Sequence, residues 1–237
     1  MIEFANGSYD WRELSLMQFL DEGHIPSSWV EFFTREDVKS ELKSISEFLQ
    51  KDVEKGTIVY PAINHVFRAF TPLKKLKFVL LGMDPYHNGS AIGLCFSVKP
   101  GNRINPSLKN IYRELANEGY TVREDGDLTH WAKQGCFMLN TALTVRKSHP
   151  DSHTKIWSKF TEKIILYVAE KRPDLVWVLM GSKADAFRKY IPNRAVILTT
   201  SHPSPFSAHK PYREHPAFLG SGIFRKINEN LNTKITW

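Results

Sequence analysis

Val79-Leu80-Leu81-Gly82-Met83-Asp84-Pro85-Tyr86-His87 joins an apolar run to a cluster of reactive side chains. The run is short, branched and free of charge, the pattern of a strand buried on both faces. Gly82 ends it, and a carboxylate, a phenol and an imidazole follow at Asp84, Tyr86 and His87. Pro85 fixes its own φ and biases Asp84 away from the helical region. Open α/β sheets bind ligands outside the carboxyl ends of their strands, so this rigid loop reads as part of an active site. Taken alone, it reads equally well as a turn whose aspartate caps a backbone amide.

The same device recurs. Cys136-Phe137-Met138-Leu139 runs into Asn140-Thr141, and Leu175-Val176-Trp177-Val178-Leu179-Met180 into Gly181-Ser182. Ala195-Val196-Ile197-Leu198 runs into Thr199-Thr200-Ser201-His202-Pro203-Ser204-Pro205. Helical patterns separate most of these strands, so the chain is expected to be α/β with a mainly parallel sheet. Asp84, Asn140, Ser182 and His202 then converge at one sheet edge. The alternative is four unrelated polar loops.

Helical periodicity is clear in four places. Ser44 to Lys55 places Ile45, Phe48, Leu49 and Val53 on one face, and Ser107 to Glu118 aligns Ile111, Tyr112 and Leu115. Ile156 to Lys171 carries Trp157, Phe160, Ile164, Tyr167 and Val168, and Gly222 to Leu231 predicts a terminal helix. These aromatics read as core. Asp10 to Glu54 reads as helical and wrapped around the sheet. We expect a single domain over 1–237, with a helical part to about 75 and a catalytic core from about 76.

The 237 residues are 42% hydrophobic, enough for one sizeable core. No apolar run approaches the roughly 20 residues that cross a bilayer. Glu3, Asp10 and Glu13 stand where a secretory leader would be apolar, so no membrane partner is expected. Cys95 and Cys136 sit in strand-like surroundings and read as buried thiols of an intracellular, reducing compartment: cytoplasm, nucleus or viral factory. The net charge of +7 favours a polyanionic partner. Lys183, Arg188, Lys189, Arg194, Lys210, Arg213, Arg225 and Lys226 are expected around the crevice loops.

Several motifs, in order, resemble those of the family 1 uracil-DNA glycosylases from about Trp29 to Asn232. Gly82-Met83-Asp84-Pro85-Tyr86-His87 is similar to the water-activating motif, and Gly93-Leu94-Cys95-Phe96-Ser97-Val98 to the segment with the base-stacking aromatic. Pro106-Ser107-Leu108 resembles the proline-rich loop that compresses phosphates. Leu139-Asn140-Thr141-Ala142-Leu143-Thr144-Val145 resembles the uracil-reading strand end. Gly181-Ser182 matches the Gly-Ser loop, and His202-Pro203-Ser204-Pro205-Phe206-Ser207 the minor-groove loop. The resemblance implies a four-stranded, mainly parallel sheet between helices.

It also implies a monofunctional DNA N-glycosylase that flips uracil out of DNA and hydrolyses its bond to deoxyribose, leaving an abasic site and initiating base excision repair. Asp84 and His202 would be catalytic: the carboxylate stabilises the sugar cation and orients water, and a neutral imidazole donates to uracil O2. Met83, Tyr86, Phe96 and Asn140 would form the uracil pocket. Asn140 offers an acceptor and a donor that match uracil N3–H and O4, and cytosine presents the reverse. Tyr86 would exclude the thymine methyl, and Phe96 would stack on the base. His87, Pro106, Ser107, Gly181, Ser182, Ser204, Phe206 and Ser207 would contact DNA. The resemblance implies no metal and no cofactor. Its expected partners are uracil-containing single- or double-stranded DNA and acidic DNA-mimic inhibitor proteins, with the protein a monomer.

The chain departs from the family pattern at Met83 (usually Gln), Ile92 (usually His), Asn105 (usually Pro) and Phe206 (usually Leu). Lys210-Pro211-Tyr212-Arg213-Glu214-His215-Pro216 looks inserted; it is expected either to add a DNA contact or to be an inconsequential surface loop. Two rival functions use the same residues. A metal-dependent phosphoesterase would gather Asp84, His87, Asn140 and His202, although a histidine three residues after the aspartate is unusual ligand spacing. A DNA-binding module without chemistry would have no use for Asp84, Asn140 and His202 together.

Overall fold

The computed structural model describes residues 10–24 and 27–237. The leader expectation that involved Glu3 lies outside the described residues. Six strands occur in them: β1 (Val59–Tyr60), β2 (Phe78–Gly82), β3 (Cys136–Asn140), β4 (Val145–Arg146), β5 (Val176–Met180) and β6 (Ile197–Thr200). Four form the main sheet in the order β3-β2-β5-β6, every neighbouring pair parallel. β1 and β4 pair antiparallel in a separate ribbon. Every residue of β2, β3 and β5 is buried, which explains their continuous apolar runs: helices cover both faces.

The helices are α1 (Leu16–Asp21), α2 (Val30–Phe33), α3 (Glu36–Glu54), α4 (Pro106–Asn117), α5 (Thr129–Lys133), α6 (Thr154–Lys171), α7 (Ser182–Asp185) and α8 (Ile223–Glu229). The predicted helix from Ser44 is the second half of α3, whose first half continues the stripe through Val38 and Leu42. Glu36 and Asp37 favour its start by opposing the positive end of the helix dipole. Ser15 and Gln18 close a capping box on α1, and the described residues of the Asp10–Glu54 region hold α1, α2 and the 19-residue α3. Trp29 anchors this region: its ring lies 4.8 Å from Phe70 and 5.5 Å from Phe137 of β3, and its Nε1–H donates to the Thr71 carbonyl at 2.7 Å. Losing such a buried ring costs about 3–5 kcal/mol.

Two boundaries differ from expectation in ways that matter to the site. β6 begins at Ile197 and ends at Thr200, two residues later than the apolar run suggested, because β-branched threonines pair as well as Val. Pro106-Ser107-Leu108, which resembles the family's proline-rich loop, is the first turn of α4, and Pro106 at its first position starts that helix one residue before the predicted Ser107. Arg194, expected at the crevice, precedes β6 and lies at the opposite, amino end of the sheet.

Candidate active site

The chain leaves β2 for β3 on one side, then crosses back to β5 and continues to β6 on the other. The switch point lies between β2 and β5, so the loops after those strands border the crevice. The β2 and β3 loops are laced together: Thr141 N–H donates to the Gly82 carbonyl (3.1 Å), and Ala142 N–H (2.9 Å) and Thr141 Oγ1 (2.7 Å) donate to that of Met83. Gly82 pairs with Asn140 in register. A Cβ on Gly82 would lie 2.5 Å from Asn140 Oδ1 and 2.8 Å from Cys95 Cβ. Glycine here makes room for the asparagine amide. Asn140 is buried, yet its carboxamide has no hydrogen-bond partner among the described residues.

Asp84 leans on a segment that sequence reading passed over. Its Oδ2 accepts the Asp151 backbone N–H at 2.7 Å, and Asp151 holds a left-handed backbone with φ 65°. The Asp151 carboxylate is paired with Lys183, the residue after Ser182, at 2.7 Å. Oδ1 of Asp84 has no hydrogen-bond partner among the described residues. Burial pushes the Asp84 carboxyl above its ordinary value; the Asp151 N–H opposes this and the Asp151 charge adds to it.

Across the crevice, Phe96 and His202 face one another with ring centroids 5.7 Å apart. Phe96 has φ 63°, an outlier for an aromatic residue and a strain of about 1–3 kcal/mol. Tyr86 helps to hold that conformation, its hydroxyl donating to the Phe96 carbonyl at 3.2 Å. Burial drives the Tyr86 phenol well above its ordinary pKa, so it stays protonated.

His202 is set by two local features. Gly181, with φ 87°, lets the β5 loop approach so closely that a Cβ there would lie 2.7 Å from His202 Cβ. Ser204 N–H donates to His202 Nδ1 at 3.1 Å, which makes Nδ1 an acceptor and leaves the ring proton on Nε2. Burial lowers the His202 pKa to about 4, so the ring is neutral.

Of the expected DNA-contacting residues, Gly181, Ser182, Phe206 and Ser207 line a cavity with His202, and Pro106 lines another. Asn110 of α4 donates from Nδ2 to the Pro203 carbonyl at 2.8 Å, tying the Pro106–Ser107 turn to the His202 loop. Ser204 and Ser207 are half-buried, their hydroxyls 3.4 Å apart, while the Phe206 ring between them is 87% exposed. Gly181, Ser182, His202, Phe206, Ser207 and Tyr212 line a cavity of about 240 Å³. The 210–216 segment is a tight turn closed by reciprocal backbone hydrogen bonds between Tyr212 and His215 (3.0 and 2.8 Å), and it borders that cavity. His87 is held from the far side, its carbonyl accepting the Ser148 N–H at 3.0 Å. Met83 contributes its carbonyl to the lacing described above. Ile92 is buried in the core.

Asp151 and Asn110 thus support the site although no motif includes them, beside Thr141 of the strand-end motif and Lys183 of the expected crevice cations. The one available signal was Pro150-Asp151 after β4, a turn dipeptide with nothing local to aim it at Asp84. Among the described residues no three His, Cys, Asp or Glu side chains group closely enough to hold a metal ion. None of their helices is long and apolar enough to cross a membrane.

Comparison with known proteins completes the picture. The curated uracil-DNA glycosylase of Azotobacter vinelandii is 37% identical over 227 residues, covering 92% of this chain and 95% of its own. That of Psychromonas ingrahamii is 41% identical over 211 residues, covering 86% and 95%. The crystal structure of mimivirus uracil-DNA glycosylase superposes with a TM-score of 0.88 at 27% identity, over 99% of this chain and 95% of that one. Mimivirus UNG Y322L, solved in complex with UGI, gives 0.84 at 30% identity over 90% and 88%. The sequence profile of the Uracil DNA glycosylase superfamily matches residues 69–231, and the chain belongs to that family.

Proposed function

We propose that this protein excises uracil from DNA by hydrolysing the N-glycosidic bond, the initiating step of base excision repair. One observation carries the reading furthest: His202 is neutral, with Nδ1 occupied by Ser204 N–H and Nε2–H free to donate toward a base held against Phe96. An extruded pyrimidine stacks on Phe96, a contact worth roughly 1–3 kcal/mol. Asn140, whose buried amide is otherwise unspent, accepts from N3–H and donates to O4. The Tyr86 ring fills the space beside C5 and rejects a methyl there. Flipping the nucleotide costs a few kcal/mol, which the rim recovers by gripping phosphates through Ser107, Ser182, Ser204 and Ser207. Phe206 is the wedge that fills the vacated stack.

As the C1′–N1 bond breaks, its electron pair leaves with uracil and the sugar becomes cationic. Asp84 faces the sugar, its free Oδ1 orienting the water that bonds to C1′ and accepting the proton that water releases. His202 Nε2–H stabilises the negative charge building at O2. Preorganised donors of this kind supply about 2.7–4 kcal/mol. The 210–216 turn extends the rim, and acidic DNA-mimic proteins of the UGI kind would cover the same face.

The test is incubation in chelator with oligonucleotides carrying a single uracil or thymine, followed by alkaline cleavage at abasic sites. Cleavage of the uracil strand alone is expected. An intact uracil strand refutes the function, and activity abolished by chelator restores the metal-dependent alternative.

A further inference from the structure

A second, larger cavity of about 580 Å³ opens where the Asp84–His87 loop meets the segment leading into α4. Its floor is a closed ring of hydrogen bonds. Asn88 Nδ2 donates to Asn105 Oδ1 at 3.0 Å, Asn105 Nδ2 to Ser90 Oγ at 2.8 Å, and Ser90 Oγ to Asn88 Oδ1 at 2.6 Å. Ser90 is buried, and its backbone N–H makes a further bond to Asn88 Oδ1 at 3.1 Å. Each carboxamide nitrogen has spent one proton on the ring and keeps a second. Arg103 and Lys109, both exposed, complete the walls, and neither has an ion-pair partner among the described residues. No carboxylate lines the cavity. Lys183 and Arg188, by contrast, are engaged by Asp151 and Asp185.

We propose that this cavity is a phosphate subsite for the DNA backbone, with Arg103 and Lys109 as its charges and the Asn88–Ser90–Asn105 ring as its rigid floor. It combines amide donors and two positive charges with no carboxylate, a lining that suits a phosphodiester. Asn105 sits two residues before Ser107 and Asn88 directly follows His87, so one ring fixes the subsite to both the phosphate-gripping turn and the catalytic loop. The subsite rests on the proposed excision of uracil from DNA and extends the strand contact beyond Ser107.

The experiment compares wild type with the double variants Arg103→Ala/Lys109→Ala and Lys74→Ala/Lys75→Ala. The second pair removes the same charge from exposed lysines before β2, at the amino end of the sheet. Affinity for a duplex carrying a non-hydrolysable deoxyuridine analogue is measured across a salt series. Each phosphate contact contributes about 0.9 to the log–log slope, so the slope of the first variant should fall by about 1.8 and that of the second stay at the wild-type value. An unchanged slope, or equal losses in both variants, overturns the subsite. So does competition for Arg103 and Lys109 by inorganic phosphate with no change in DNA slope, which would assign a free anion instead. Uracil release by wild type is measured in parallel: its absence sinks the functional reading, whereas its presence beside an unchanged slope sinks only the subsite.

Discussion

Two aspartate–histidine sites lie in this chain, and they differ in how completely their polar atoms are used. Asp52 of α3 accepts from Arg146 Nε at 2.6 Å and Nη2 at 2.8 Å, and from His153 Nε2 at 3.0 Å. Trp157 Nε1–H donates to Thr144 Oγ1 at 2.7 Å, so the threonine hydroxyl in turn donates to His153 Nδ1 at 2.8 Å. Both carboxylate oxygens of Asp52 and both ring nitrogens of His153 are spent. Burial would raise the Asp52 carboxyl, but the Arg146 and His153 hydrogen bonds outweigh it and hold it below its ordinary range. Asp84 has one partner for two oxygens and lies above its ordinary value, and His202 has one partner for two nitrogens. The same residue types make a staple in one place and a reactive pair in the other. Unspent hydrogen-bonding capacity separates them.

Exchanging charge for amide at each carboxylate should therefore give opposite results. Asp84→Asn is expected to lose on the order of 10²–10³ in single-turnover excision, and His202→Ala a similar factor, with DNA binding kept. Asp84→Asn should leave the melting temperature unchanged or raised, since it removes a buried, half-satisfied charge. Near-normal excision by either variant would overturn the assignment. Asp52→Asn should instead destabilise by about 1–3 kcal/mol, read by urea titration; its amide nitrogen meets an Arg146 N–H in either orientation, while the partly exposed guanidinium recovers some hydration. Equal destabilisation by Asp84→Asn and Asp52→Asn would break the contrast.

Acid sharpens it further. His202 and His65 both have pKa values lowered to about 4 by burial. Between about 4 and 6.5 the unfolded chain binds more protons at these positions than the folded one. Stability therefore rises with pH through that window and is fully present above it. His202→Gln should flatten the dependence of unfolding free energy on pH there. Excision by wild type should show no inflection at an ordinary histidine pKa, because the donor is already neutral. An activity that rises as pH falls through 6.5 would mean a charged imidazole does the work.

The four strands of the main sheet, the helices α4, α6 and α8 with the second half of α3, and the placement of Asp84, Asn140, Ser182 and His202 at the carboxyl end of the sheet were legible because burial writes itself as periodicity and strand ends as loss of apolar character. The Thr199-Thr200 continuation of β6 was not, since threonine reads as loop by polarity and as strand by branching. The supports of the site were invisible for another reason. Asp151 reaches Asp84 through a backbone N–H, and Asn105 closes its ring through residues 15 and 17 positions away. Bonds of that kind depend on which loops the fold brings together and leave no local pattern. Phe96 is the clearest case: its sequence neighbours mark it as core, while its positive φ, which no residue pattern signals, turns its ring toward His202.

The smallest expected effect tests how finely the Asp84 environment is tuned. Lys183 and Asp151 form a pair at 2.7 Å with both side chains nearly half exposed, so breaking it should cost less than about 1 kcal/mol of stability. Its effect on chemistry is through charge. The Asp151 carboxylate raises the Asp84 pKa and the Lys183 ammonium lowers it. Lys183→Ala leaves the Asp151 charge unscreened, so Asp84 should hold its proton to higher pH and the acid limb of excision should move up. Asp151→Asn keeps the backbone N–H that binds Asp84 but removes the charge, so the limb should move down. The two single-turnover pH profiles should bracket wild type. Displacement of both in the same direction would show that the loop acts on Asp84 through its position rather than its charge.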